Sequence, residues 1–588
     1  MNLARQQVWR TVATGTGGAV AAARQRSADA GAQALSDGGN AVDAAVAAAL
    51  VAGVVEPMET TLAGSGFLLY GRQGQDTVSV EFGPRAPLAA QPAMFTIDAA
   101  RSSDRGLGVS TVVDDENVTG AKACGVPATV AGLLTAHQRF GVLPRARICA
   151  PAIAAAYDGF PADGYFALEA LANLAELRAD AGARETYLVA GDPPTAPHLG
   201  TATLGASPVI RQPRLGRTLE LIAERGADGF YRGEVADGLL RTVAERDGLL
   251  AAEDLAAVEP TVGAARRLPF RDVDVWVPHA PSGAVTELQM LHTWQALHPD
   301  QPPVHDDPLR LRQLAEVSWH AFADRYHWLG DPDMVAVPEQ ALYSGGYAAE
   351  LADLIRAGAA PPVLPAGAGF PWEVFAGRTV HDPWAHDPMG RSAPSWQPAG
   401  ATPSPAGTTH VSTMDAAGGA VSITHTAANH WGAKVLCPRT GLALDAAMGW
   451  FNARPGAANS IAGGKRPLAN MGPVLLTRAG APYAALGAPG GRRIINAVVQ
   501  VILNLVERAM DAESALAAPR LDASGSQLVA SERHAEQLPE LDVPVRLVNE
   551  QHEPYGYELA RPVLAMRATG NEVVAGTDPF STGAAVAP

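Results

Sequence analysis

A threonine that follows a glycine is the residue of this chain best suited to nucleophilic chemistry. The run Gly407-Thr408-Thr409-His410 stands where a Pro- and Ala-rich stretch ends and a strand-like pattern begins. If the bond between Gly407 and Thr408 is cut, Thr408 gains a free α-amino group, which titrates near about 7.7–8.0 and can act as the base for its own hydroxyl. The same hydroxyl could make the cut by attacking the Gly407 carbonyl, since glycine offers little steric resistance. On spacing alone, an ordinary threonine-rich start of a strand is the simpler interpretation.

Other common catalytic motifs are missing from the sequence. The run Gly463-Gly464-Lys465-Arg466 lacks the spacing and the Ser/Thr of a phosphate-binding loop, and no dinucleotide fingerprint or His-Glu-x-x-His motif occurs. The three cysteines are too few and too scattered for a disulfide framework or a thiolate metal site, so they are interpreted as small buried hydrophobic residues. His381-Asp382 and His386-Asp387 are interpreted as parts of a solvated loop. We therefore expect neither a metal nor a cofactor.

Composition and charge narrow the classes of partner. Hydrophobic residues make up 47% of the 588 residues and charged residues 18%, which excludes a disordered chain. The net charge is -16, so we expect no nucleic-acid partner. The longest apolar run, residues 44–55, is shorter than the roughly 20 residues of a membrane span. Residues 1–23 lack the pattern of a secretory signal, and we expect a cytoplasmic protein without a membrane partner.

The elements that must position Thr408 can be predicted from periodicity and turn signals. Asn40 is expected to cap the second of two early helices. Helices are predicted over residues 28–35, 41–50, 126–140, 145–158, 214–224, 233–244, 307–327 and 494–507. Strands are predicted over residues 64–70, 77–82, 409–413, 420–426, 442–444, 474–477 and 483–486. A mostly helical first part therefore leads, through a Pro/Gly/Ala-rich connector at about 356–407, into a β-rich second part.

A series of motifs resembles the γ-glutamyltranspeptidase family, in family order and over nearly the whole chain. The motifs that carry the resemblance are residues 37–46 (DGGNAVDAAV), 53–57 (GVVEP), 125–132 (GVPATVAG), 150–153 (APAI), 321–325 (AFADR), 330–332 (GDP), 408–410 (TTH), 465–468 (KRPL) and 487–491 (GAPGG). The resemblance implies an α+β fold, the four-layer αββα sandwich of N-terminal-nucleophile hydrolases. It also implies a single chain that cuts itself into a large subunit, residues 1–407, and a small subunit, residues 408–588, which together form a heterodimer.

The resemblance also assigns catalytic roles. Thr408 becomes both the processing and the catalytic nucleophile, with the cleavage site between Gly407 and Thr408. Thr426 matches the second family threonine, which supports the nucleophile through a hydrogen bond. Gly490 and Gly491 match the pair whose main-chain N–H groups form the oxyanion hole, where a side chain would block the approach to the developing oxyanion.

The residues expected to recognise the substrate depart from the family pattern. The arginine that grips the glutamyl α-carboxylate is replaced by Gly83, with Arg85 two positions later. At other positions where the family has polar residues, this chain has Ala428, with Asn429 adjacent, Ala447, Trp450 and the pair Ala469-Asn470. A free amino-acid head group needs paired charges, because an ion that loses water without a partner costs several kcal/mol. We therefore expect a less polar acyl pocket and poor use of glutathione.

The leading hypothesis is a self-processing hydrolase or acyltransferase that acts on a small-molecule substrate through an acyl-Thr intermediate. Three alternatives stay open: a genuine γ-glutamyl transferase or glutathione hydrolase, a C–C bond hydrolase like relatives in pathways to 4-alkylproline natural products, and a catalytically silent scaffold. Lys434 is one of three lysines in the chain and follows Thr426 closely. Either Lys434 or Arg85 is predicted to supply a relocated cation for an anionic substrate group, with an ordinary surface lysine as the alternative interpretation.

Overall fold

The computed structural model describes residues 11–98, 111–194, 207–300, 302–304, 307–357, 381–387, 407–525, 527–538, 545–550 and 558–588. The helices are α1 Gln25–Ser36, α2 Ala41–Val55, α3 Thr129–Phe140, α4 Arg145–Asp158, α5 Gly164–Ala172, α6 Leu174–Ala179, α7 Ala181–Tyr187, α8 Pro213–Arg225, α9 Asp228–Tyr231, α10 Gly233–Ala244, α11 Ala252–Ala256, α12 Ala284–Leu297, α13 Pro308–Trp328, α14 Glu339–Leu342, α15 Gly345–Arg356, α16 Arg493–Val506 and α17 Ala512–Ala517. The strands are β1 Val12–Gly15, β2 Gly18–Ala22, β3 Ser65–Gly71, β4 Val78–Phe82, β5 Phe160–Pro161, β6 Val209–Ile210, β7 Thr261–Ala264, β8 Arg266–Phe270, β9 Val273–Val277, β10 Thr408–Asp415, β11 Ala420–Thr426, β12 Val474–Arg478, β13 Ala481–Gly487, β14 Leu521–Asp522, β15 Leu528–Ser531, β16 Val545–Val548, β17 Val563–Arg567, β18 Val573–Thr577 and β19 Ala584–Val586.

Two seven-stranded sheets organise these elements. One has the order β1-β18-β17-β13-β12-β9-β8, and the other has the order β19-β2-β10-β11-β3-β4-β7. All of the neighbouring strands in the two sheets pair antiparallel. Both sheets contain strands from before and from after residue 407.

Side-chain alternation produces three apolar interfaces. Along β2, Val20 and Ala22 pack in the core formed with α1–α4, whereas Ala19 and Ala21 pack in a core shared by the two sheets. The other sheet alternates in the same way, because Leu475 faces the shared core while its neighbours in β12 face the core with α12, α13 and α16. The order of layers is therefore helix, sheet, sheet, helix, and the predicted four-layer αββα sandwich is confirmed.

The long, Ala-rich helix α2 positions the turn that reaches the candidate nucleophile. Its first turn is capped as the sequence predicts: the Asn40 side chain accepts hydrogen bonds from the N–H groups of Val42 and Asp43, and the Asp43 carboxylate accepts one from Asn40 N–H. Every residue of α2 is buried, because its small side chains allow close packing on all sides. The helix ends at Val55 and leads directly into residues 56–60.

Most predicted helices and strands are present, with shifted ends, but two predictions differ from the structure. Residues 442–444 form no strand, and Ala443 and Leu444 are instead in isolated bridges. The part before residue 407 contributes seven strands to the two sheets. Several of these strands were missed because they are short and small-residue-rich. Most of the predicted connector, within residues 358–380 and 388–406, lies outside the described residues.

A short part of the connector is more buried than the sequence analysis expected. Residues 381–387 include a 3₁₀ turn, and the side chain of His381 is buried, with its Nδ1 atom 2.9 Å from Asp324 Oδ1 and its Nε2 atom 2.8 Å from His320 Nδ1. The interpretation of His381 as part of a solvated loop is therefore wrong, because α13 supplies a polar pocket for it. The three cysteines are buried and free, as predicted. In the part of the chain that the structure describes, no helix is long and apolar enough to cross a membrane.

Candidate active site

Thr408 is the first residue of β10 and lies opposite Thr426, the last residue of β11. Its buried side chain donates a hydrogen bond from Oγ1 to the carbonyl oxygen of Gly407 at 2.8 Å. The Oγ1 atoms of Thr408 and Thr426 are 3.2 Å apart, and the Thr426 hydroxyl also donates to the Gly407 carbonyl oxygen. Both hydroxyls therefore contact the peptide group that the sequence analysis predicts is cut. The antiparallel register of two neighbouring strands creates this arrangement.

Gly407 lies in a space that no side chain could share. A Cβ atom at this position would be 2.6 Å from the carbonyl oxygen of Met58 and 2.7 Å from that of Asn429. Contacts this short with main-chain atoms would require the backbone to move. Gly407 is therefore tightly enclosed by main-chain atoms, and this enclosure holds its carbonyl group near the two threonine hydroxyls.

Glu59 is a residue of this site that sequence reasoning missed. Its Oε2 atom accepts a hydrogen bond from the Thr408 N–H at 2.9 Å, and its Oε1 atom accepts one from the Tyr165 hydroxyl. The main-chain oxygen of Glu59 also accepts a hydrogen bond from Ala427 N at 3.0 Å. The carboxylate is buried in the turn after α2. A charged residue two positions beyond the Glu56-Pro57 motif was the available signal.

Two guanidinium groups lie over the ring of Tyr165. The Cζ atom of Arg561 is 4.7 Å from the ring centroid and that of Arg24 is 5.1 Å from it. Arg24 also forms an ion pair with Asp163. Burial opposes the charge on Arg24, but Asp163, and after it Glu56, raise its pKa above the ordinary value. The Glu59–Tyr165 pair therefore lies next to fixed positive charge.

Further acidic groups surround the same turn. Burial raises the pKa of Glu56 to about 7, against the attraction of the Arg24 guanidinium. The Nδ1 atom of His430 is 3.7 Å from Glu169 Oε2 and 4.0 Å from Glu59 Oε2. Burial also raises the pKa of Glu169, and the charge of His430 acts in the opposite direction. Two carboxyl groups with raised pKa values, Glu56 and Glu169, therefore lie near the turn that contacts the Thr408 nitrogen.

Gly490 and Gly491 lie in the loop between β13 and α16. Their φ angles of 142° and 62° favour glycine, and a Cβ atom on Gly490 would be 2.6 Å from the Cβ of Ala560. The preceding residue, Pro489, accepts a hydrogen bond from the main-chain N–H of Arg561 at 3.0 Å. Because the Arg561 side chain stacks on Tyr165, this loop is tied to the surroundings of Thr408. The oxyanion-hole role stays a prediction.

Three of the predicted substrate-binding residues lie on or against the loop that follows β11. Asn429 is half-buried, and its Oδ1 atom accepts a hydrogen bond from His430 N at 3.0 Å. Trp450 is buried and donates from Nε1 to the Ala428 carbonyl at 3.2 Å. The buried ammonium of Lys434 donates to the carbonyl of His430 and, at 3.5 Å, to that of Gly432. Lys434 therefore contacts its own loop.

The remaining predicted residues lie in other surroundings. Arg85 is exposed, donates to the Gly464 carbonyl at 2.9 Å and lines, with Gly83, a cavity of about 110 Å³. Asn470 accepts a hydrogen bond from the buried Arg325 guanidinium at 3.0 Å. Ala447 is buried in a 3₁₀ turn. Substrate contacts by these side chains stay predictions.

Asp445 is a second residue that sequence reasoning missed. Its Oδ1 atom accepts a hydrogen bond from Gly125 N at 2.7 Å, and its Oδ2 atom is buried without a hydrogen-bond partner in the structure as described. A Cβ atom on Gly125 would lie 2.7 Å from the Ala447 Cβ and 3.0 Å from the Arg85 carbonyl oxygen. The carboxyl group therefore lies among the residues expected to form the substrate pocket. Burial raises its pKa to about 7, although hydrogen bonds from Gly125 and Ala447 favour the charged form.

The fold and this site together define a class of protein. A four-layer αββα sandwich with a threonine at the start of a central strand, and with its hydroxyl against the preceding carbonyl, is typical of the precursor of an N-terminal-nucleophile hydrolase. The family model for gamma-glutamyltranspeptidase matches residues 27–587. The chain belongs to the γ-glutamyltranspeptidase family.

Individual relatives agree with this assignment. The chain is 33% identical over 522 residues to a glutathione hydrolase proenzyme of Pseudomonas aeruginosa, which covers 87% of this chain and 83% of the relative. It is 31% identical over 529 residues to the acylase ACY 1 proenzyme of Pseudomonas sp. strain V22, covering 90% and 86%. The crystal structure of a cephalosporin acylase from Bacillus halodurans has the same fold, with a TM-score of 0.77, 22% identity and coverage of 99% and 98%. The chain is thus a self-processing N-terminal-nucleophile hydrolase or acyltransferase, as the sequence analysis predicted.

Proposed function

We propose that this chain cuts its own Gly407–Thr408 bond and that residues 1–407 and 408–588 then form a heterodimeric enzyme with Thr408 as its nucleophile. The observation that carries the proposal is the contact of two threonine hydroxyls with the Gly407 carbonyl oxygen. Thr408 supplies the attacking oxygen. Thr426 polarises the carbonyl and stabilises the negative charge that forms on its oxygen.

Self-cleavage exchanges an amide for an ester and then hydrolyses the ester. Thr408 Oγ1 attacks the Gly407 carbonyl carbon, the C–N bond breaks, and the hydroxyl proton ends on the Thr408 nitrogen. Water then attacks the ester, which leaves a carboxylate on Gly407 and restores the Thr408 hydroxyl beside a free amine. In later turnovers this amine takes the hydroxyl proton while Oγ1 attacks a substrate carbonyl, and water or an amine resolves the acyl-Thr intermediate.

The experiment for this proposal compares the parent chain with Thr408→Ala. The parent should give two fragments on a denaturing gel, with intact masses that match residues 1–407 and 408–588. The Thr408→Ala chain should stay intact, because no hydroxyl is present to attack. N-terminal sequencing that places the cut at any other bond, or a parent chain that stays whole, would contradict the proposal.

We also propose that the substrate carries a less polar head group than a γ-glutamyl group. The support lies in Gly83, Ala447 and Trp450, which bring no charge to positions where the family pattern has charged or polar residues. A genuine γ-glutamyl compound would leave its ionic groups without partners, at about 1–3 kcal/mol for each. An amide with an uncharged acyl group needs no ionic partner in the pocket and is therefore the first candidate substrate, and one relative is named an acylase.

Substrate preference can be measured on the processed enzyme. Turnover of γ-glutamyl-p-nitroanilide should be roughly 5- to 150-fold below that of a neutral acyl p-nitroanilide that the enzyme accepts. Intact-mass spectrometry of residues 408–588 should show the acyl adduct with the preferred compound. Efficient hydrolysis of glutathione would instead support the glutathione hydrolase alternative.

A further inference from the structure

The mechanism above assigns groups to the carbonyl side of the Gly407–Thr408 bond, and the structure also places a group on its nitrogen side. Glu59 Oε2 is 2.9 Å from the Thr408 nitrogen and accepts its hydrogen. The other carboxylate oxygen accepts a hydrogen bond from the Tyr165 hydroxyl, which fixes the orientation of the carboxylate. Glu59 thus touches the atom that leaves when the bond breaks.

We propose that Glu59 is a catalytic residue of self-cleavage, with a carboxylate that stabilises the positive charge developing on the leaving Thr408 nitrogen. The proposal rests on the proposed function, in which Thr408 attacks the Gly407 carbonyl. It assigns Tyr165 as a positioning residue that acts through Glu59.

The proton balance of the step explains why a carboxylate is useful here. An amide nitrogen leaves poorly until it is protonated, so the proton released from Thr408 Oγ1 must reach that nitrogen before the C–N bond breaks. At that moment the nitrogen carries two hydrogens and a positive charge. Glu59 accepts the hydrogen bond in the starting amide and in this cationic intermediate, and the bond becomes stronger as the charge appears. Glu59 itself neither gains nor loses a proton.

Neighbouring carboxylates have other contacts. Glu56 accepts a hydrogen bond from the Ser27 hydroxyl at 3.2 Å, and Glu169 faces His430. After cleavage the same Glu59 oxygen lies beside the free α-amine, which becomes an ammonium each time it takes the Thr408 proton. The contact that assists maturation is therefore retained next to the base of the mature enzyme.

The main test is the rate of self-cleavage of full-length Glu59→Gln, followed on a denaturing gel from freshly refolded precursor. The amide keeps the shape of the side chain but removes its charge, and we expect cleavage to slow about 100-fold, the effect of losing one charge-stabilising contact. Glu316→Gln, which changes a similarly buried glutamate on α13, is the matched control and should cleave at the parental rate. Circular dichroism and thermal unfolding check that each variant is folded.

Hydroxylamine identifies the step that is affected, because it releases esters but leaves amides intact. If Glu59 acts while the C–N bond breaks, uncut Glu59→Gln holds no ester, and neutral hydroxylamine in denaturant releases no fragment. Release of residues 408–588 would show that the bond broke without the carboxylate and would overturn the proposal. Parental cleavage of a folded Glu59→Gln would overturn it as well. A parent chain that stays whole would instead contradict the proposed function.

Tyr165→Phe keeps the test decisive if Glu59→Gln does not fold. Loss of the hydroxyl should slow cleavage about tenfold, and parental cleavage in this variant would then overturn the proposal. If both single variants fold, the double variant Glu59→Gln/Tyr165→Phe should cleave itself as slowly as Glu59→Gln alone, because the tyrosine acts through the carboxylate. If the two slowing factors multiply in the double variant, Tyr165 has a separate, structural role, and its positioning role is overturned.

Discussion

Asp445 places a carboxyl group among apolar side chains at the predicted substrate pocket. Its Oδ1 atom is held by the Gly125 N–H, while the buried Oδ2 atom has no hydrogen-bond partner in the described structure. A carboxylate in such a position loses its hydration without full compensation. Burial therefore favours the neutral acid and raises its pKa to about 7. The group is thus poised to change charge close to neutral pH.

This raised pKa predicts a specific pH dependence of stability. Between about pH 4 and 7 the carboxyl ionises in the unfolded chain while it stays neutral in the folded chain. Rising pH therefore lowers the free energy of unfolding over this interval. Above about pH 7 the group is ionised in both states, and its contribution no longer changes with pH. Asn cannot ionise, so Asp445→Asn should gain up to about 2–4 kcal/mol in unfolding free energy relative to the parent as the pH rises from 4 to 8. Urea unfolding at several pH values measures this difference.

The exposed Asp237 on α10 provides the control for Asp445. Asp237→Asn removes one carboxylate of the same type from a solvated position and thus controls for the loss of one acidic group. If the unfolding free energy of Asp445→Asn, relative to the parent, changed with pH no more than that of Asp237→Asn, burial would not force the Asp445 carboxyl towards its neutral form.

Individual residues of the site differ in how far the sequence could predict them. Thr408 and Thr426 were predicted because both lie in strand-like segments whose motifs resemble a known family. Glu59 was not, since its contact with Thr408 joins positions 349 residues apart and depends on where α2 ends. Asp445 gave no signal either, because a lone carboxyl in an apolar segment becomes unusual only when its burial is known.

At the scale of elements, the loop that follows β11 is held in an uncommon conformation. Ala428, Trp431 and Lys434 all have positive φ angles, between 60° and 70°, which non-glycine residues rarely adopt. The Lys434 ammonium binds the carbonyls of His430 and Gly432 and closes the loop on itself. Because the same loop carries Asn429 against Gly407, its conformation affects the enclosure of the Gly407–Thr408 bond.

Lys434→Met tests this role of the loop. Methionine keeps the length of the side chain but removes the donor, so the unfolding free energy should fall by about 1–3 kcal/mol. Arg85→Met, at an exposed position, should change it by less than about 0.5 kcal/mol. Chemical denaturation of Thr408→Ala precursors carrying each substitution avoids interference from cleavage. The KM is measured separately, on processed enzyme that keeps Thr408. A tenfold rise in KM for Lys434→Met, without a loss of stability, would instead give the ammonium the substrate-binding role predicted from the sequence.

Elements with strong periodicity were predicted well, and those defined by long-range pairing were not. Helices α4 and α10 and strand β11 have the predicted bounds, because the residue patterns that define them are local. Strands β1 and β2 were missed, since runs such as Val12–Gly15 are short and rich in Gly and Ala. Their extended conformation depends on partners far along the chain, which local patterns do not contain.

At the scale of the whole molecule, the Gly407–Thr408 bond divides the chain within shared sheets. In one sheet, β10 and β11 lie between β2 and β3, so strands from after residue 407 pair on both outer sides with strands from before it. In the other sheet, β1 pairs with β18 and β9 pairs with β12. The two halves therefore complete each other's cores and the two seven-stranded sheets, and neither half contains the whole of either of these two sheets.

This interleaving predicts that cleavage leaves the molecule in one piece. The processed chain should elute from gel filtration at the volume of the uncut Thr408→Ala chain, although it gives two bands on a denaturing gel. Urea should separate residues 1–407 from 408–588 in the same transition that unfolds the sheets, because each fragment alone would expose the apolar faces of incomplete sheets. Size-exclusion chromatography with light scattering across a urea series measures both transitions. Release of a folded fragment before the sheets unfold would show that the strand pairs across the cut contribute little to the stability of the assembly.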